Sequence, residues 1–361
     1  MKKKIIILVT LLMSLLPLNI YATNSFTMPG EDKLHEGTWL IWPHKYTYGE
    51  KYSNELESIW LDMTIALHSG ENVHIIAYNE DEKEKIKNLL IENYVDMKKI
   101  DFVIAKSDDV WVRDTGPIFV FDKNNKLTIA DFSFDGWGKK MKYQNDNLIP
   151  EKVAKIKNIP IISIPDFVLE GGSVELDGNG TMMGTLSSVV SKNRNQNLTV
   201  AKVEEYMNKY LGVTNFIWLK GVTDEDITDA HIDGMARFYN ENTILTVSKK
   251  DFRELYEGID MNDYKIMQNA KNTNGQQYKI IELPLTKKNV DGLDYKGSYL
   301  NFYIGNEVIL LPIYEDENDK VAIEIITNLY PSKKIVPIII SDLFQHGGMI
   351  HCVTQQQPVS K

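Results

Sequence analysis

The chain has 361 residues, 43% hydrophobic, 25% charged and 10% aromatic, which is too apolar for a disordered chain and too polar for a polytopic membrane protein. Forty Lys and Arg against fifty Asp and Glu leave a formal charge of −10, which disfavours non-specific nucleic-acid binding and weakly attracts small cations. A single cysteine excludes an intramolecular disulfide framework and any zinc site that needs two or more thiolates.

In chain order, Lys2, Lys3 and Lys4 precede an apolar run over 5–18, and a short polar stretch then ends in Ala22. This pattern predicts a secretory signal peptide over 1–22, cut after Ala22, and an exported protein, periplasmic or secreted, with one domain over 23–361. After cleavage no membrane association is expected. The apolar spacing of Leu56, Ile59, Trp60, Met63 and Leu67 predicts a helix over 53–68. Further helices are predicted over 81–94, over 199–211 ahead of Gly212, and over 321–330 ahead of Pro331. Short strands are predicted over 73–78, 102–105, 118–121, 127–134, 161–164, 173–176, 182–186, 216–219, 243–247, 279–283, 299–304, 308–312 and 334–340. The alternation is α/β throughout. No linker or sequence repeat divides it, and the strands are too short and numerous for a doubly wound sheet.

Four stretches break the pattern with polar chemistry. The first runs from Ser107 to Pro117 and packs Asp108, Asp109, Trp111, Arg113 and Asp114 between two apolar strands. The second is Glu170-Gly171-Gly172-Ser173, where the glycines permit close backbone approach. The third is His231-Ile232-Asp233; on an extended strand these would present an imidazole and a carboxylate to the same face. The fourth, from Gln345 to Pro358, holds the only cysteine, Cys352, with His351 beside it. Neighbours on a strand face opposite ways, so His231 is the better base for Cys352. One thiol, one His-x-Asp pair and further carboxylates at Asp114 and Glu170 suit a cationic substrate. A guanidinium fits best, because its planar fork pairs with carboxylates and its carbon is open to a thiolate.

These segments resemble the agmatine deiminase family, which also contains the bacterial peptidylarginine deiminases. The resemblance rests on Trp111-x-Arg113-Asp114-x-Gly116-Pro117, Glu170-Gly171-Gly172, His231-x-Asp233 and Gly347-Gly348-x-Ile350-His351-Cys352-x-Thr354-Gln355-Gln356. An opening block, Met28-Pro29-Gly30-Glu31 with Glu36-x-Thr38-Trp39-x-x-Trp42-Pro43-His44, is similar too, as is Gly184-Thr185 with Lys192-Asn193-Arg194-Asn195. The resemblance spans about Met28 to Pro358. It implies a five-bladed α/β propeller (the pentein fold) of ββαβ modules around a pseudo-fivefold axis, with no metal or cofactor. Cys352 would be the nucleophile and His231 the general acid/base. Asp114, Glu170 and Asp233 would clamp the guanidinium and orient the histidine, keeping it charged and so favouring the Cys352 thiolate. Trp111 and Gly348 would help bind the substrate.

The chain departs from the family pattern at Ala230, where the family usually has Gly, at Met349, where many relatives have Asn, and at His346, where a third Gly is common. The leading expectation is hydrolysis of agmatine to N-carbamoylputrescine and ammonia. The alternatives are a peptidylarginine deiminase and an inactive binder of guanidino compounds. Asp224, Glu225 and Asp226 are candidate acceptors for a distal ammonium. A homo-oligomer is compatible with the sequence, and no nucleic-acid partner is expected.

Overall fold

The structure is a computed structural model that describes residues 25–360; the stretch read as a signal peptide lies outside them. Strands Ile118–Asp122 and Leu127–Ser133 pair antiparallel, helix Ile149–Lys157 follows, and strand Ile161–Val168 returns parallel to the second strand. The same order of antiparallel pair, helix and parallel strand recurs along the chain. Strands Val174–Leu176 and Thr181–Thr185, helix Val200–Leu211 and strand Asn215–Leu219 repeat it. So do Ala236–Asn240 and Thr243–Val247 with helix Met261–Asn269 and strand Lys279–Leu283. Tyr303–Ile304 and Val308–Ile313 do so with helix Asp319–Leu329 and strand Lys334–Ile339.

The remaining sheet is built from distant parts of the sequence. Strand Gln355–Pro358 pairs antiparallel with His35–Ile41, helix Glu50–Leu67 follows, and Asn72–Ala77 and Ile100–Ile104 add in parallel. The described residues therefore form five sheets of three or four strands and one two-stranded hairpin, Leu285–Asn289 with Lys296–Ser298.

Local chemistry sets these elements. Thr199 accepts from the Lys202 amide at the start of helix Val200–Leu211, and Gly212 leaves its end at φ +79°. Asn79 caps helix Glu80–Glu92, whose first turn carries Glu80, Asp81 and Glu82 against the positive end of the helix dipole. Helix Glu50–Leu67 buries Leu56, Ile59, Trp60, Met63 and Leu67, the face its spacing predicts.

Differences from the sequence reading concentrate near the polar stretches. His231 precedes a single 3-10 turn, Ile232–Gly234, instead of lying on a strand. The strand expected over 299–304 is only Tyr303–Ile304, and Asn301 is turned to accept from the His351 amide. Strand His35–Ile41 was legible only as a motif, since its polar residues mask a nearly fully buried element. Helices Ile149–Lys157 and Met261–Asn269 have nine residues each, too short for a clear period.

Candidate active site

The Asp-rich stretch distributes its acids to three tasks. Asp108 is structural: it accepts from the Asn145 amide at 2.6 Å and side chain at 2.8 Å, and from Lys142 at 2.8 Å. Asp109 accepts from the Tyr52 hydroxyl at 2.7 Å and the Tyr48 hydroxyl at 3.0 Å. The one-turn helix Val112–Thr115 then sends Asp114 and Arg113 in different directions. Arg113 turns back to donate to Gln356 Oε1 at 2.8 Å and the His351 carbonyl at 3.2 Å. Asp114 accepts from the Gly172 amide at 3.0 Å and the Trp137 indole at 2.9 Å.

The Gly-Gly pair is needed for close approach. A Cβ on Gly171 would stand 2.2 Å from the Arg113 carbonyl oxygen. One on Gly172 would stand 2.6 Å from His231 Nδ1, 3.0 Å from Asp114 and 3.1 Å from Asp233. Gly172 thus lies at the point where three expected site residues converge. Gly348 plays a parallel part against Trp111, where a Cβ would be 2.2 Å from the indole.

His231 Nε2 lies 2.9 Å from Glu170 Oε2, and Nδ1 lies 3.8 Å from Asp114. Asp233 pairs with a different histidine: His351 Nδ1 is 2.8 Å from Asp233 Oδ2, and His351 Nε2 is 2.7 Å from Glu31. Cys352 Sγ lies 3.8 Å from Asp233 Oδ2 and 3.5 Å from Asn301 Oδ1. Cys352, His231, Asp233, Asp114 and Glu170 are therefore brought together, with Trp111 and Gly348 at the rim. Glu170 differs from the expected guanidinium clamp. One of its oxygens receives Arg194 Nε at 2.6 Å and the other meets His231, so it serves the histidine.

The electrostatics follow from three buried acids around His231 and the Cys352 sulfur. Burial pushes the His231 pKa down, but Asp114, Glu170 and Asp233 outweigh it and hold it up at about 9. Burial raises the Asp114 pKa, with Glu170 and Asp233 adding to it. For Asp233 burial is overcome by His351, His231 and Arg237, which hold the carboxyl below its usual value. Burial, Asp233 and Asp114 push the Cys352 thiol well above its ordinary value. The free site thus holds a charged histidine and a protonated thiol. This corrects the expected resting thiolate, because the carboxylates nearest the sulfur oppose a second negative charge.

Cys352, Asp114 and Trp111 open onto a cavity of about 430 Å³, whose outer wall includes Tyr48, Tyr52, Glu55, Asp109 and His346. None of the expected distal acids is among the cavity's lining residues, although Asp226 adjoins Ile227 and Thr228, which are. Asp224 binds Lys192 and Asn193, Glu225 is exposed, and Asp226 accepts from Thr228 and the Ala230 amide. Sequence reasoning missed Trp137, Asn301 and Asp109 as site residues. Trp137 sits in a left-handed turn (φ +55°) that no periodicity signals.

The family profile of Porphyromonas-type peptidyl-arginine deiminase matches residues 27–358. A protein assigned as an agmatine deiminase in Mycoplasma capricolum is 31% identical, with 94% of this chain and 97% of that protein covered. The solved structure of the Enterococcus faecalis agmatine deiminase catalysing its reaction superposes with a TM-score of 0.84 at 26% identity, covering 93% of this chain and 97% of that one. A C. jejuni agmatine deiminase with substrate bound gives a TM-score of 0.81 at 25% identity, covering the same shares. The chain belongs to the family of Porphyromonas-type peptidyl-arginine deiminases and agmatine deiminases.

Proposed function

We propose that this chain hydrolyses agmatine to N-carbamoylputrescine and ammonia through a covalent Cys352 intermediate. The observation that carries the reading is the placement of the Cys352 thiol 3.8 Å from Asp233, at the floor of a cavity that Asp114 also lines. A guanidinium seated between these carboxylates presents its carbon to the sulfur. The similarity to agmatine deiminases over nearly the whole chain supports the same reading. The acids Asp109 and Glu55 on the outer wall favour a substrate with a second cationic end.

The cation on the substrate is what the thiol lacks. Its charge offsets Asp114 and Asp233, so the thiol proton is released to solvent as the guanidinium binds. The thiolate attacks the guanidino carbon and gives a neutral tetrahedral adduct. His231, already charged, gives its proton to one amino group, and ammonia leaves as the C–N bond breaks. The S-alkylthiouronium that remains carries the positive charge between the carboxylates, which stabilise it electrostatically. Neutral His231 then takes a proton from water as its oxygen bonds to the same carbon. The adduct collapses: the C–S bond breaks, the hydroxyl proton passes to the departing sulfur, and the ureido product leaves the Cys352 thiol beside a charged His231.

The fivefold recurrence of the strand-pair, helix and parallel-strand order supports a five-bladed propeller with the site at its centre. The basic and apolar pattern over 1–22 supports export, with N-terminal sequencing of the processed protein as its check. The function is tested by ammonia release from residues 23–361 under reducing conditions, with agmatine, free arginine and an arginine-containing peptide as substrates. Turnover of agmatine, abolished in Cys352→Ala, is the expected result. Preference for the peptide moves the chain to the peptidylarginine branch, and silence on all three favours a binder.

A further inference from the structure

Glu170 and His231 meet at 2.9 Å although 61 residues separate them, and each sits on an irregular segment. His231 follows two consecutive non-glycine residues in the left-handed region, Asp229 at φ +60° and Ala230 at φ +62°. Such a pair is strained and persists only where its surroundings over-determine it. The loop that holds both segments is Ser191 to Asn195, which the reaction itself does not use.

Three side chains of that loop, Asn193, Arg194 and Asn195, tie the two segments. Asn195 accepts from the Val168 amide at 2.9 Å and donates to the Val168 carbonyl at 2.8 Å, two residues before Glu170. Asn193 donates to Asp229 at 3.0 Å, two residues before His231. Arg194, fully buried, does both: Nε donates to Glu170 at 2.6 Å and one terminal nitrogen donates to Asp229 at 3.1 Å. Its other terminal nitrogen is buried without a hydrogen-bond partner among the described residues, a loss a smaller cation would avoid. Asp229 in turn receives Lys140 at 3.0 Å and the Asp224 amide at 2.7 Å.

We propose that Arg194 is the positioning residue of the general acid/base. One guanidinium fixes both the carboxylate that His231 faces and the left-handed turn from which His231 projects. A planar fork can bridge two carboxylates at fixed separation; a lysine ammonium cannot reproduce that span. This proposal rests on the deiminase reading for its kinetic consequence and on geometry alone for its structural one.

The charged groups facing the His231 ring are Asp114 from the one-turn helix, Glu170 from the Gly-Gly turn and Asp233 from its own turn, with Arg194 behind Glu170. Without its bridge, Glu170 is a buried carboxylate short of a partner. With nothing to fix its carboxylate against the ring, its support for the imidazolium weakens.

The test is Arg194→Lys, with the His231 titration followed by NMR on histidine-labelled protein and with kcat and KM measured on agmatine. The expected result is a fall of the His231 midpoint by one pH unit or more. A fall in kcat of at least tenfold, with KM changed less than threefold, accompanies it. Asn195→Ser loosens the same loop without touching Glu170, and it lowers the melting temperature while leaving the midpoint in place. A midpoint that stays or rises in Arg194→Lys overturns the proposal, as does an equal shift in Asn195→Ser. If Arg194→Lys does not fold, Asp229→Asn releases the turn end alone, and a wild-type kcat in that variant overturns it. Failure of the deiminase reading shows separately, as wild-type protein inert toward agmatine, with the titration still readable.

Discussion

Asp233 lies 2.8 Å from the ring of His351, not against the ring of His231 two residues before it. The His-x-Asp motif is therefore two half-pairs, each completed by a residue from another part of the chain. Both contacts made by the Asp233 carboxylate, to His351 and to the Cys352 sulfur, use Oδ2. His351 is fixed from behind by Glu31, itself bonded to Arg237 at 3.0 Å. Replacing His351 by Asn removes a charge-assisted hold worth about 1.5–3 kcal/mol, so kcat/KM for agmatine is expected to fall roughly 10–100-fold. A smaller loss, measured as ammonia release at low substrate, would show that Asp233 orients itself.

Gly172→Ala sets a methyl group 2.6 Å from His231 Nδ1 and 3.0 Å from Asp114. The ring and carboxylate must part, and a displacement near 1 Å in a catalytic constellation costs on the order of 100-fold in rate. The expected variant is folded by circular dichroism, with kcat reduced by that order. Near-normal turnover would mean that the three site residues can move apart freely.

The pH dependence has a definite sign. His231 is held at about 9, above its ordinary 6.5, so its ionic interactions stabilise the fold fully below pH 6.5 and are lost as pH rises through 9. The raised Cys352 thiol acts in the same direction at higher pH, because the unfolded thiol ionises before the folded one. Unfolding free energy from urea titrations is expected to fall by about 3 kcal/mol between pH 6.5 and 9.5, from a shift of roughly two and a half units. In His231→Asn that slope should largely vanish; if it persists, other groups carry it. Turnover should show an alkaline limb near 9, where the acid that releases ammonia is lost.

Ala230 at φ +62° carries left-handed strain of about 1–2 kcal/mol, offset in a glycine by about 0.5–1 kcal/mol of chain entropy. Ala230→Gly is thus expected to gain up to about 1 kcal/mol and raise the melting temperature slightly. The sign of the change tests whether the alanine is strained at this position. A lower melting temperature would show that the alanine methyl packs usefully where it is.

Much of the site was legible because its chemistry is written in dense polar blocks. Cys352, Asp114, Glu170, His231 and Asp233 converge as the motifs implied. Pairings were not legible. Asp233 finds His351 across 118 residues, and Glu170 spends both oxygens on Arg194 and His231. Trp137 and Asn301 carry no local signal, since one depends on a left-handed turn and the other on a loop folded under the catalytic cysteine. For the fold, period and capping residues placed most strands and the long helices to within a few residues. The recurrence of one sheet order five times left no trace as a sequence repeat, because hydrogen-bonded ladders constrain burial pattern far more than residue identity.

Strand Gln355–Pro358 finds its partner at His35–Ile41, and Cys352 stands just ahead of it. Asp114, Glu170, His231 and Asp233 all precede the nucleophile in the order of synthesis. A growing chain therefore assembles its carboxylates and its acid before it owns a thiol. It becomes chemically competent only when its late residues return to its early ones, and a chain halted near residue 340 has those four groups but neither the thiol nor the His351 that pairs with Asp233.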